Sequence, residues 1–177
     1  MAATFIAIAQ GVALPTSASA KTLLQLYNTH ATQKLKVTRV WIQPMATTTV
    51  TAVFQTLSLG RNTTSQTTGA TTVTPVAYDT DSGVSLSATC NHSPTTSVTL
   101  VDTFRQFIYT GDEYVTGVAK FENLMALPSY ALIWDIGYGD STVEPITLNT
   151  NEGLSLTSAG VASGVGTVDV SFEFYAV

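Results

Sequence analysis

The sequence predicts an all-β protein, an antiparallel β-sandwich of jelly-roll type, and three observations lead there. Threonine recurs in nearly every segment, in runs such as Thr47-Thr48-Thr49 and Thr71-Thr72. Threonine and the β-branched aliphatics lose little on entering an extended, half-buried backbone, so this composition favours sheets over helices. Apolar and polar residues alternate with a period of two in the best-patterned stretch, residues 167–177. Turn residues punctuate the chain at close intervals, with no alternating helical segments to support a parallel sheet. Eight to ten short antiparallel strands are the expectation, and about eight strands of this length suit a jelly roll.

The elements follow in order. Phe5, Ile6, Ile8, Val12 and Leu14, diluted by alanines and interrupted by Gln10-Gly11, form an apolar strand. Pro15-Thr16-Ser17-Ala18-Ser19 then joins it to the body. Two readings stand: an ordinary first strand of the sheet, or an extended N-terminal arm over 1–20 that adds to the exposed edge of a neighbouring subunit. A single sandwich domain occupies 21–177. Strands are expected at 21–27 and 35–43. In the second, Val37, Arg39 and Trp41 share one face while Val40 and Ile42 lie opposite. A strand over 50–59 ends at Gly60-Arg61-Asn62. Strands 73–78 and 84–89 flank Asp79-Thr80-Asp81-Ser82-Gly83 and make a hairpin. A long strand spans 98–109, and 130–136 is apolar enough to be central. One short helix is expected where Phe121, Leu124 and Met125 have helical spacing, stopped by Pro128. Strands at 142–148, 153–157 and 167–177 complete the set. Pro75 and Pro145 lack a ladder N–H, so their strands sit at edges or carry bulges.

At 177 residues the chain makes one domain large enough to hold a core without staples. Cys90 is its only cysteine, which excludes an intrachain disulfide. Net charge is −5, and the nearest thing to a basic cluster is Lys34, Lys36 and Arg39, too sparse for a nucleic-acid surface. The first twenty residues lack the positive start and unbroken apolar core of a secretory signal, and about ten apolar residues do not span a bilayer. Neither nucleic acid nor membrane is an expected partner. Only 11% of residues are charged, against roughly 25% in an ordinary soluble domain. Such a surface is kept wet by hydroxyls and amides, or it is covered in an assembly. The second reading makes Phe5, Ile6, Ile8, Val12, Leu14 and Trp41 candidate interface residues.

Candidate chemistry is thin. Asp79 and Asp81 with Gly83 have a spacing a calcium loop can use, but the acidic residue that closes an EF-type loop is missing, and an Asx turn explains them. Asp112-Glu113, and Asp135 with Asp140, are the other acidic groupings. Paired carboxylates cleave glycosides only if they face each other across a cleft. Cys90-Asn91-His92, with His30 elsewhere, contains a nucleophile and a base but no flanking motif, and reads as a polar loop. The Asn62-Thr63-Thr64 and Asn91-His92-Ser93 glycosylation patterns arise by chance in a Thr-rich chain. No catalytic residue, cofactor or metal is expected.

The last third of the chain carries a resemblance. It begins with Leu132-Ile133-Trp134-Asp135-Ile136-Gly137-Tyr138-Gly139-Asp140. It continues through Pro145-Ile146-Thr147-Leu148, Asn151-Glu152-Gly153-Leu154 and Val168-Asp169-Val170-Ser171-Phe172-Glu173-Phe174. These stretches resemble small jelly-roll virion proteins of tailed bacteriophages, above all the decoration (cement) proteins of the capsid. The resemblance implies a non-enzymatic homo-oligomer, often a trimer, bound to the major capsid protein or other virion subunits on the outer surface of the head. The competing expectation is a carbohydrate-binding module or adhesin tip of a tail fibre, stacking sugar rings on exposed Trp or Tyr.

Overall fold

The computed structural model describes residues 3–45, 53–81, 83–111, 131–135, 144–160 and 166–177. Among them are twelve strands and no helix: β1 (Thr4–Ala13), β2 (Lys21–Asn28), β3 (Leu35–Met45), β4 (Val53–Asn62), β5 (Thr71–Thr72), β6 (Val76–Ala77), β7 (Ala88–His92), β8 (Asp102–Gly111), β9 (Ala131–Asp135), β10 (Ile146–Leu148), β11 (Gly153–Ser158) and β12 (Thr167–Ala176). They form two six-stranded antiparallel sheets. The first runs β10-β3-β12-β1-β6, with β9 also on β3; the second runs β5-β7-β2-β11-β4-β8.

The pairing is that of a jelly roll. Set aside β5, β6, β7 and β10, and eight strands remain. The first of these pairs with the last (β1 with β12) and the second with the seventh (β2 with β11). The third pairs with the sixth (β3 with β9) and the fourth with the fifth (β4 with β8). A long hairpin wound around itself gives this order, and the two faces that meet inside bury the apolar half of each alternating strand.

The core shows why these residues adopt these strands. On β12, Val168, Val170, Phe172, Phe174 and Ala176 all face inward and are buried, as the period of two requires. Opposite them β1 places Phe5, Ala7 and Ala9, and the Phe5 and Phe174 rings stack with centroids 5.7 Å apart. From the facing sheet come Leu24, Leu26, Leu57, Leu59, Leu154 and Leu156, all fully buried. Each such side chain contributes about 1.5–3 kcal/mol relative to exposure.

The interruption at Gln10-Gly11 is a β-bulge. Ala9 pairs with Val170 but Val12 with Val168, so β1 carries an extra residue and both Ala9 and Val12 still face the core. Gly11 supplies the left-handed backbone (φ 61°), and its N–H donates to Asp169 Oδ1 at 2.7 Å.

Several expectations change. The N-terminal segment is the first strand of the sandwich, hydrogen-bonded to β12 and β6 of its own chain, and does not stand off as an arm. Its alternating apolar residues find their cover in the same molecule. A second bulge, between the Arg39–Glu173 and Val37–Phe174 pairs, turns Val37 inward with Val40 and Ile42 while Arg39 faces out. β4 does not stop at Leu59 but runs through Gly60-Arg61 to end at Asn62, and Gly60 lets the Asp102 carbonyl approach where a Cβ would collide with it. Residues 73–78 are not one strand. Thr71–Thr72 belongs to the second sheet and Val76–Ala77 to the first, with Pro75 at the crossing. Among the described residues β6 pairs with β1, and β7 with β2 and β5, so no hairpin ladder joins β6 to β7. β9 is not central; among the described residues it pairs only with β3. The helix expected around Phe121, Leu124 and Met125 lies outside the described residues.

The loop after β4 is the largest surprise. β2 and β11 are buried on both faces except at Lys21. On the side away from the core, Gln25 Nε2 donates to Thr64 O (2.8 Å) and Gln25 Oε1 accepts from Gln66 N (3.0 Å). Asn62 donates to Thr64 O and accepts from Ser155 Oγ, while Tyr27 Oη donates to Thr63 O. A polar layer thus seals the second sheet beneath residues 62–66. Each group is buried because each has a partner.

Candidate functional site

The chemical candidates do not converge. Asp79 Oδ1 accepts from Asp81 N at 3.0 Å, an exposed Asx turn. Asp135 pairs with Arg39, whereas Asp112, Glu113 and Asp140 lie outside the described residues. Cys90-Asn91-His92 is not a loop; it is most of β7, with Cys90 and Asn91 buried. Burial pushes the Cys90 thiol up to about 12, so at neutral pH it is a protonated core residue and a poor nucleophile. Burial also lowers the pKa of His92, with the nearby Lys21 charge adding to the effect. His30 lies beyond the opposite end of β7, where its Nδ1 accepts the backbone N–H groups of Thr32 and Gln33. Among the described residues no group of three or more His, Cys, Asp or Glu is placed to hold a metal. No helix among them is long and apolar enough to cross a membrane.

The six interface candidates separate. Phe5, Val12 and Leu14 are core residues, each at most 5% exposed. Ile6 and Trp41 are half-buried on the outer face of the first sheet, and Ile8 is exposed there. On that face Ile8, Ser171 and Trp41 lie in one row across β1, β12 and β3. Ile6, Glu173, Arg39 and Asp135 form the next row, reaching β9. Arg39 lies 3.4 Å from Asp135 and 3.7 Å from Glu173, and Tyr78 Oη donates to Glu173 at 3.3 Å. Such half-exposed pairs add about 0–1 kcal/mol each. The row orders the side chains beside Trp41 more than it stabilises the fold.

What the sequence did not reveal is where exposed apolar residues gather. Ile8, Val76 and Tyr78 lie on or beside β1 and β6 at one edge of the first sheet. Val101, Phe104 and Ile108 lie on or just before β8, at an edge of the second. Because β1 packs over β2 and β7, the β6 edge stands above the β5–β7 end of the second sheet. The β8 edge is at the other end of the sandwich. The two apolar groups therefore occupy opposite sides of one body.

The β8 side is built with care. Arg105 Nη1 donates to Ile133 O on β9 (3.0 Å), tying the last strand of one sheet to the other sheet. Arg61 does the same from β4, donating to Thr147 O on β10 (3.0 Å), with its guanidinium 5.3 Å from the Phe104 ring centroid. Even so, residues 101–106 and 108 are all exposed, and Ile108 keeps 68% of its surface. A regular sandwich edge hides one face of its strand. Here, among residues 101–108, only Phe107 packs against the core, and it is half-buried.

No protein-family model, curated protein or solved structure matches the chain.

Proposed function

We propose that this chain is a virion structural protein of the decoration type, bound to the outer surface of a phage head. Its work is contact, with copies of itself and with the major capsid protein or other shell subunits. The observation that carries this reading is the placement of exposed apolar residues at opposite sides of a rigid, charge-poor jelly roll. A body with two such sides can bridge two neighbours, which is what a lattice component must do. Isolated exposed apolar residues are ordinary; grouped ones mark interaction sites.

Electron microscopy of the native source tests it. An ordered lattice or decorated shell containing the chain is the expected result, and a dispersed protein absent from any particle overturns the reading. A second reading rests on the outer face of the first sheet, where Trp41 stands beside the Arg39–Glu173–Asp135 row. An aromatic ring flanked by fixed hydrogen-bonding groups suits a neutral sugar. Glycan-array binding that disappears with Trp41→Ala favours that reading.

A further inference from the structure

We infer that the native fold and N-glycosylation exclude each other in this chain, at both of its acceptor patterns. A compartment whose oligosaccharide transferase meets the chain before it folds is therefore closed to it.

The patterns are Asn62-Thr63-Thr64 and Asn91-His92-Ser93, the only two places where Ser or Thr stands two residues after Asn. An acceptor that is used lies on a surface loop, because the sugar has to stand in water. Neither asparagine does. Asn62 is the last residue of β4 and Asn91 lies within β7, both in the second sheet. Asn62 is 0% exposed and Asn91 2%.

The packing is tightest at Asn62. Its Nδ2 donates to Thr64 O at 2.9 Å, and its Oδ1 accepts from Ser155 Oγ at 2.8 Å. Gly153 pairs with it on β11, and a Cβ added there would come within 2.7 Å of Nδ2. A site without room for one carbon has none for a sugar ring on the same amide. Gln25 Nε2 donates to the same Thr64 carbonyl, which pins the loop over the amide. Asn91 pairs with Gln25 on β2 and Thr72 on β5, and its Nδ2 donates to Gln66 O at 3.5 Å. Both acceptors thus lie in the polar layer beneath residues 62–66.

Transfer joins Nδ2 to the anomeric carbon of a sugar carried on a lipid diphosphate. The carbon–oxygen bond to the diphosphate breaks, the diphosphate leaves with its electron pair, and Nδ2 gives one proton to a base of the transferase. The amide then holds a ring that the layer cannot enclose. The loop must lift, and Gln25 and Ser155 lose their partners. A group that fits only the opened chain opposes folding.

Directing the full chain into the secretory pathway of a glycosylating cell tests this, with occupancy read by peptide mass spectrometry. The expected result is wild-type chain retained with sugar on Asn62 or Asn91, and a secreted folded fraction free of it. Thr64→Ala with Ser93→Gly removes both acceptors, keeps both asparagines, and puts glycine where the backbone is left-handed (Ser93 φ 52°). Its folded yield should rise several-fold over wild type. Secreted molecules that melt cooperatively with a glycan on either asparagine overturn the inference, as does a wild-type yield equal to the variant's. Should the double variant misfold, blocking synthesis of the lipid-linked donor should rescue the wild-type chain instead, and no rescue overturns the inference as well. None of these outcomes depends on what the folded protein binds.

Discussion

β12 and β8 are both ten residues long, yet one is the spine of the molecule and the other stands exposed along residues 102–106 and 108. β12 lies between β3 and β1, and its inward side chains are fully or nearly fully buried. Among the described residues β8 has a strand on one side only, and Phe107 is half-buried while its neighbours from Asp102 to Ile108 are exposed. Their sequences differ in the same sense. Val168, Val170, Phe172 and Phe174 alternate strictly with polar residues, whereas Phe104, Phe107, Ile108 and Tyr109 keep no period. Strict alternation marks a strand made to be covered on one face by its own fold. A strand that is apolar without a period cannot turn all its apolar side chains to one covered face, and that is the lesson of the pair.

The sharpest way to break this contrast is to strip β12 of a neighbour. Deleting residues 1–13 removes β1, its bulge and the Phe5–Phe174 stack, and should abolish the cooperative thermal transition seen by circular dichroism. Most domains hold only about 5–15 kcal/mol in total. A truncated chain that still melts cooperatively would return the segment to the status of an arm.

Next in size is Phe172→Ala, which leaves a cavity between the sheets and should cost about 3–5 kcal/mol in urea unfolding. Asn62→Ala probes the sealed outer face of the second sheet. It orphans Ser155 Oγ and leaves the Thr64 carbonyl with Gln25 Nε2 as its remaining donor, for an expected loss of about 1–3 kcal/mol. A value near zero would show that the polar layer is a cover only and not a structural seal.

The smallest effect should be Ile108→Ala on β8. Measured where the chain is monomeric, its stability should stay within about 0.5 kcal/mol of wild type, since the side chain is mostly in water. A loss comparable to that of Phe172→Ala would mean that β8 belongs to the core after all.

How much of this was legible depended on whether a residue's partner lay close in the pattern. The faces of β12 could be read because alternation is local. Val37 reads from the sequence as sharing a face with Arg39 and Trp41 and does not, because a single extra residue reverses everything beyond it and leaves no compositional mark. Gly11 left a mark, an apolar run broken by Gln-Gly, but nothing in the chain said whether that meant a loop or a bulge. The burial of Gln25, Asn62 and Ser155 was illegible for a different reason. A polar residue under a loop and one in water look alike until the loop is placed. Of the candidate interface residues, Ile8 and Trp41 face outward and Phe5, Val12 and Leu14 do not, and only their strand partners decide which.

By itself the sequence determined an all-β chain, the two-residue period of its inner strands and a surface short of charge, because these follow from side-chain shape and count. The tertiary structure alone decided the wrapping of eight strands into a jelly roll and the side of each bulged residue. It also decided that one long strand, β8, stands at the rim of its sheet among the described residues. Those depend on contacts between residues far apart in the chain, such as Phe5 with Phe174 and Leu59 with Arg105, whose meeting no local pattern encodes.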